Sequence, residues 1–153
     1  MNINPQLFAI QRWSSRYTIR SMKCEADFQT EFTKWLRHTD MFPDGKLAYE
    51  LKFTLDNSLP FKAVMDHQLA ALYVAKHGRL PYKIADVGIA RKPFDGFMLA
   101  GAISMVGIMY YTKGEKNFVL IDIDVFMQEK EDSKRKSLTK DRAVEIGIVC
   151  QLK

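Results

Sequence analysis

A carboxylate and an ammonium group stand two residues apart in the segment LAYELKFT (residues 47–54), as Glu50 and Lys52. The segment is rich in apolar and aromatic residues, which predicts a β-strand. Because side chains alternate along a strand, Glu50 and Lys52 share one face and the apolar residues between and around them occupy the other. An acid and an amine on one face could bind a divalent metal and orient a water molecule for hydrolysis. The alternative is a surface ion pair on an edge strand, which contributes little to stability.

Further polar groups follow this strand in a defined order. Ser58-Leu59-Pro60-Phe61 comes first, and Asp66-His67-Gln68 lies in the next predicted helix. This order resembles the RecU-type Holliday-junction resolvases of the PD-(D/E)xK nuclease superfamily, in which an E-x-K strand precedes a serine–proline element and a helix bearing Asp-His-Gln. The segment RKSLTKDRA (residues 135–143) resembles a second element of that family. The resemblance covers roughly residues 25–78 and 105–145.

The resemblance implies an α/β fold with a restriction-endonuclease-like core, in which helices flank a mixed central β-sheet. It implies one nuclease domain over residues 1–153, with residues 1–23 as a basic N-terminal arm and residues 24–153 as the core. The implied activity is Mg²⁺-dependent hydrolysis of a four-way (Holliday) DNA junction, with Mn²⁺ as an ion that could replace Mg²⁺. Because a four-way junction is two-fold symmetric, symmetric cutting requires two active sites, and we expect a homodimer. The small domain is typical of a phage or mobile-element resolvase.

Two other functions fit the same residues. One is a nuclease of the same superfamily that acts on other DNA by nicking, restriction-like cutting or flap trimming. The other is a DNA-binding module of this fold that does not hydrolyse DNA. Substitution of the E-x-K residues would abolish cleavage by an enzyme, whereas a binding module would show no metal-dependent hydrolysis.

The resemblance assigns roles to individual side chains. Glu50 is expected to bind the metal, and Lys52 to orient or deprotonate the attacking water or to hold the phosphate as a point charge. Gln68 borders the apolar face of its predicted helix and could hold a ligand or a backbone phosphate. Glu31, beside the apolar stripe of the first predicted helix, matches the helix glutamate of the family. Its other interpretation is a solvated surface glutamate.

The second strand carboxylate departs from the family pattern, which places an aspartate on a strand before E-x-K, commonly after a proline. Pro43-Asp44 has these letters but lies in a predicted turn. Only five residues separate Asp44 from Glu50, which leaves no room for a strand. Asp95 follows Pro93-Phe94 on the C-terminal side of E-x-K and is our preferred candidate, with Asp86 and Asp44 as alternatives. Asp95 could instead be a turn aspartate before Gly96. The expected metal ligands are Glu31, Glu50 and Asp95.

Basic residues gather near both ends of the chain, which carries a formal net charge of +5 and has a pI of about 9.2. Lysine and arginine on phosphates give affinity for DNA without sequence selection. Ordinary solubility charge is the alternative, and the first 23 residues could instead be an arm that packs on the core. The residues expected to contact DNA are Arg12, Arg16, Arg20, Lys134, Arg135 and Lys136.

Composition and short motifs limit the other classes of protein to which the chain could belong. At 47% apolar residues, the 153-residue chain can form the core of one domain. Cys24 and Cys150 are far apart and the three histidines are scattered, so the sequence offers no zinc ligand set. No P-loop or dinucleotide-binding glycine motif is present. No apolar run is long enough to span a bilayer and no signal peptide is evident, so we expect a soluble protein of the cytoplasm, that of the host if the chain is phage-encoded.

The predicted elements alternate between helices and strands. Ser58 is expected to be the N-cap of the second helix and Gly78 its end. A short hairpin turn, KGEK (residues 113–116), is expected between two apolar strands. The predicted helices are 25–38, 56–78 and one that starts at about Thr139; the predicted strands are 47–54, 102–112, 117–126 and an interrupted stretch over 80–99; and 129–136 is predicted to be a solvated loop.

Overall fold

The computed structural model describes residues 22–84 and 94–153 of the chain. Four α-helices lie in these ranges: α1 (Glu25–Leu36), α2 (Asp66–His77), α3 (Ile123–Asp132) and α4 (Lys140–Ile146). The strands are β1 (Leu47–Thr54), β2 (Ser58–Pro60), β3 (Arg79–Lys83), β4 (Gly96–Ala100), β5 (Ile103–Tyr110), β6 (Asn117–Asp122), β7 (Ser137–Thr139) and β8 (Ile148–Gln151). The predicted helical arm within residues 1–23 lies almost wholly outside the described residues.

The central sheet has four strands in the order β1-β5-β6-β8. β1 runs parallel to β5, whereas β5–β6 and β6–β8 are antiparallel pairs, so the sheet is mixed. Parallel neighbours need a crossover connection, and the chain between β1 and β5 supplies it with α2 and the antiparallel hairpin β3–β4. The predicted α/β architecture, a mixed central sheet flanked by helices, is confirmed at this level.

The two faces of the sheet carry separate apolar cores. On one face, Phe28 and Phe32 of α1 pack with Leu51 of β1. On the other face, Leu69 and Leu72 of α2 pack with alternate residues of β5 and β6 and with α3 and α4. Because Leu51 faces α1, its neighbours on either side along β1 face α2. The sheet therefore turns the E-x-K pair toward the face that α2 covers.

Three expectations about local structure are wrong. The strand predicted over residues 117–126 ends at Asp122, whose carboxylate accepts the Asp124 N–H at 2.9 Å and caps α3. The loop predicted over 129–136 consequently begins inside α3. Ser58 is not the N-cap of α2: it lies in β2, paired with Thr139 of β7, and α2 begins eight residues later.

Other local expectations are confirmed. Thr139 is the N-cap of α4, where its hydroxyl accepts the Arg142 N–H at 3.3 Å. The turn between β5 and β6 contains Gly114 at a φ of 88°, a conformation that favours glycine. None of the helices in the described ranges is long and apolar enough to cross a membrane.

A cluster of charged residues fixes the C-terminal end of α2 to the start of α3. The Lys76 ammonium donates to Asp122 at 2.8 Å and to Asp124 at 2.5 Å, and His77 contacts Asp124 at 2.8 Å. Burial would lower the pKa of Lys76, but hydrogen bonds to the two carboxylates leave this pKa raised. The hydrogen bond from Lys76 is the main cause of the lowered pKa of Asp124. The charged forms of both groups therefore stabilise the fold.

Lys76→Met is expected to lower the free energy of unfolding by about 1–2 kcal/mol at neutral pH, because it leaves two aspartates without their shared cation. The Asp124 contribution is present above its ordinary pKa of 3.8 and is lost as the pH falls through its lower folded value. Urea denaturation should therefore show the difference between variant and wild type shrinking in acid. Lys130→Met is the control, because Lys130 pairs with Asp66, whose side chain is 95% exposed. An equal loss in both variants, or one that does not change with pH, would contradict this account.

Candidate active site

The Glu50 and Lys52 side chains form a compact polar group with Gln68. The Lys52 ammonium lies 2.8 Å from Glu50 Oε1, and the Gln68 amide nitrogen donates to the same oxygen at 2.7 Å. The side chains of Lys52 and Glu50 are only 12% and 23% exposed. These two residues therefore do not form a fully solvated surface pair, which was the alternative interpretation of the sequence.

The orientation of the Gln68 amide is fixed from both ends. Its oxygen accepts the backbone N–H of Met65 at 3.0 Å, the bond that a capping box makes at a helix N-terminus. Because a backbone N–H can only donate, the amide oxygen must face Met65 and the NH₂ group must face Glu50. Gln68 thus couples the start of α2 to the carboxylate on β1.

The fold positions the group by pairing and packing. Glu50 and Lys52 lie opposite Val106 and Ile108 of β5, both fully buried. Leu69, which follows Gln68, is buried in the core between α2 and the sheet. The site consequently rests on two rigid elements, a strand in a paired register and a helix N-terminus.

Gln68→Met is expected to lower the free energy of unfolding by about 1–3 kcal/mol, because it removes a capping bond and a bond to a carboxylate. His67→Met is the matched control: His67 is the exposed neighbour, and its replacement should change stability by less than about 0.5 kcal/mol. Chemical denaturation of both variants checks the difference. Equal stability of the two variants would show that the Gln68 bonds contribute nothing to the fold.

Glu31 lies away from this group. It is on α1, which packs against the opposite face of the sheet, and its carboxylate pairs with Lys34 at 2.7 Å. Its side chain is 35% exposed. The structure therefore does not bring Glu31 beside Glu50, and its role as a metal ligand stays a prediction.

The three candidates for the strand aspartate are separated in the chain, and the structure describes two of them, Asp44 and Asp95. Asp44 is exposed in the turn before β1, as the sequence predicts. Asp95 directly precedes β4, and its carbonyl accepts the Ile84 N–H at 2.8 Å next to the last pair of the hairpin register, Lys83–Gly96. Asp86 falls outside the described residues and is the one acidic residue of the chain that does so.

Within residues 22–84 and 94–153, no group of three or more acidic, histidine or cysteine side chains is placed to hold a metal ion. The expected ligands Glu31, Glu50 and Asp95 are thus not assembled into one group among these residues. The structure does bring together three of the expected catalytic residues, Glu50, Lys52 and Gln68.

The predicted DNA-contacting residues divide into two sets. Arg12, Arg16 and Arg20 lie outside the described residues. Lys134, Arg135 and Lys136 are exposed in the loop between α3 and β7. The β2–β7 pairing holds this loop close to the segment that joins the E-x-K strand to α2, because the Lys136 carbonyl accepts the Phe61 N–H at 3.1 Å.

This loop also borders a concavity of about 280 Å³ that the sequence analysis did not identify. Arg142 lines it together with Lys134 and Arg135, and three hydroxyl side chains complete its rim. Glu129 holds Arg142 through two bonds of 3.1 and 2.9 Å. The segment RKSLTKDRA contains Arg135 and Arg142, but their convergence depends on the change from strand β7 to helix α4 at Thr139, which residue spacing alone does not define.

Comparison with known proteins gives no relative. No family model matches the chain, and no curated protein or solved structure shows a significant match.

Proposed function

We propose that the chain is a Mg²⁺-dependent endonuclease of the PD-(D/E)xK type that resolves four-way DNA junctions by symmetric phosphodiester hydrolysis. The observation that carries this proposal is the group of Glu50, Lys52 and Gln68. An acid, an amine and an amide from a strand and a helix meet at one carboxylate oxygen, with the acid and the amine largely shielded from solvent. The resemblance places these three residues in one active site, and their proximity supports the proposal.

The side chains of the group fit a magnesium site that is completed by the substrate. Mg²⁺ commonly uses one or two carboxylates, retains several waters and takes its other oxygens from substrate phosphates. Glu50 would supply the first carboxylate, and its 23% exposure leaves it accessible at the sheet. When bound, the metal would lower the pKa of a water nucleophile and stabilise charge on the phosphoryl oxygens.

The protein's own groups have separate tasks in this proposal. Lys52 places a cation next to the metal-binding carboxylate, where it can hold a phosphoryl oxygen or orient the attacking water. Gln68 fixes the rotamer of Glu50 through its 2.7 Å bond, so the carboxylate does not have to be ordered when DNA binds. Burial of the Lys52 side chain strengthens its electrostatic effect on the reacting group.

A second carboxylate has several candidates. Asp95 remains our first choice, with Asp86 and Asp44 as alternatives, and Glu31 is the helix candidate. Single substitutions to the matching amide separate them: the true ligand should lose cleavage activity as Glu50→Gln does, and the others should retain it.

The substrate proposal depends on the position of the basic loop. Lys134 and Arg135 are exposed, and their loop is hydrogen-bonded to the segment that leads from the E-x-K strand to α2. Contacts of these side chains with phosphates would position a branched duplex without reading its sequence. A homodimer would present two such sites to the two-fold symmetric junction.

The test is incubation of the protein with labelled four-way junction, duplex, flap and single-stranded DNA in Mg²⁺ or EDTA. Symmetric nicks on the junction, seen only with Mg²⁺, are the expected result. Cleavage of duplex or flap instead would favour another nuclease of the superfamily. Sedimentation or light scattering of the same sample tests the dimer.

A DNA-binding module without hydrolysis is the second candidate, favoured by the finding that no three-ligand metal group is assembled among the described residues. It predicts binding to the junction that is the same in Mg²⁺ and EDTA, and intact DNA after prolonged incubation.

A further inference from the structure

The antiparallel hairpin β3–β4 carries two large aromatic side chains on one face. Tyr82 and Phe97 are directly opposite partners in the hairpin register. Their ring centroids are 5.3 Å apart at an interplanar angle of 25°, so the rings stack on each other. Tyr82 is 57% exposed and Phe97 is 43% exposed. The pair is therefore a flat aromatic surface that is open to solvent.

The rest of the hairpin holds this surface in place. Leu80 and Leu99 form the next pair on the same face and are half-buried, and the hairpin packs against α2. Gly96, the first residue of β4, lies so close to the Tyr82 carbonyl that an added Cβ atom would collide with backbone. The hairpin therefore holds the aromatic pair in place, because its strands lie close together at Gly96 and it packs against α2.

A cation near the two rings indicates which kind of ligand this aromatic surface would bind. Lys83 and the two rings line an open concavity of about 650 Å³, together with Pro81, Asp95 and Gly96. Lys83, the residue after Tyr82 on β3, is exposed. A flat aromatic surface beside an exposed cation matches the bases and phosphates of an unpaired nucleic-acid strand, because every base has a stacking face and every phosphate a negative charge.

We infer that the β3–β4 hairpin is a stacking platform for unpaired bases of DNA, with Tyr82 and Phe97 as the stacking residues and Lys83 as the phosphate contact. The inference rests on the proposed function in taking DNA as the polymer. It adds that the protein engages bases that are not in a duplex, such as those exposed where strands exchange or fray. α2 carries the active-site glutamine at its start and supports the hairpin, so one helix connects the two sites.

The test measures binding of a labelled oligothymidylate in EDTA, where metal-dependent cleavage does not occur. The double variant Tyr82→Ala with Phe97→Ala should bind it about tenfold to a hundredfold more weakly than the wild type. Tyr73→Ala is the matched control, because Tyr73 is an exposed aromatic residue of α2 outside the hairpin, and it should stay within about twofold of the wild type. Failure of the wild type to bind the oligomer, or equal binding by the double variant, would overturn the inference.

Photo-crosslinking of the wild type keeps the inference testable if the double variant does not fold. An oligothymidylate that contains 5-iododeoxyuridine should crosslink to Tyr82 or Phe97, and crosslinks confined to other residues would overturn the inference. The same experiment separates it from the proposed function. Hairpin crosslinks in a protein that cleaves no DNA would support the platform and remove the nuclease, whereas junction cleavage without hairpin crosslinks would remove the platform alone.

Discussion

Glu50→Gln is expected to reduce Mg²⁺-dependent cleavage of a four-way junction by about 10³-fold or more, because the loss of several kcal/mol of transition-state stabilisation has that effect on the rate. The substitution retains a carbonyl oxygen at the position that accepts from Lys52 and Gln68, so both bonds can persist and the fold should survive. What it removes is the negative charge that a divalent cation requires.

Two measurements accompany the Glu50→Gln rate. Junction binding in Ca²⁺ should stay within a few-fold of the wild type, because the basic loop is unchanged. Glu145→Gln is the matched control: its carboxylate is 65% exposed and pairs with Arg142 within α4, so full cleavage activity is expected. Wild-type cleavage rates in Glu50→Gln would remove Glu50 from the active site.

Lys52→Met is expected to reduce cleavage by about 10²–10⁴-fold, the usual contribution of a positioned group that transfers a proton or stabilises charge. Methionine is close to lysine in length and apolar, so it fills the space of a side chain that is only 12% exposed. The remaining uncompensated carboxylate should cost stability as well, and the urea midpoint of the variant has to be measured beside its rate.

Lys52→Arg divides the two roles left open for the amine. Arginine keeps the positive charge but does not release a proton in proteins, so recovery of part of the rate would identify Lys52 as a point charge on phosphate or water. A rate as low as that of Lys52→Met would instead identify proton transfer. Cleavage by Lys52→Met at the wild-type rate would contradict either role.

The sequence predicts the centre of the candidate site because local rules determine it. Strand alternation places Glu50 and Lys52 on one face, and their 2.8 Å contact across Leu51 follows from that face. Helical spacing puts Gln68 at the edge of the packed face of its helix, which is where the structure has it. Both relations hold within one element, whereas the Gln68–Glu50 bond joins residues 18 apart and depends on the packing of α2 on the sheet.

Expectations failed where pairing with a distant strand decided the structure, or where the same apolar residues fit the spacing of a helix as well as that of a strand. Ser58 has the type and position of a helix cap, but its pairing with Thr139, 81 residues further on, makes it part of a strand. Ile121 and Ile123 alternate like strand residues, yet Ile123 and Phe126 also fit a helix, and the Asp122 cap starts that helix. The role of Asp95, which directly precedes β4, stays a prediction, because the local motif does not define which side chains meet it.

Localised oxidative cleavage of the polypeptide tests most directly whether a divalent metal binds at Glu50. Fe²⁺ in place of Mg²⁺, with ascorbate and peroxide, generates radicals that cut the chain close to the bound ion, and mass spectrometry locates the cuts. We predict cuts near Glu50 and Gln68 that excess Mg²⁺ suppresses and that Glu50→Gln lacks, with a further cut marking the segment of the second carboxylate. Two results would contradict the account. One is Mg²⁺-suppressible cuts only at distant positions, such as the Asp122–Asp124 cluster; the other is no cuts at all with junction DNA present.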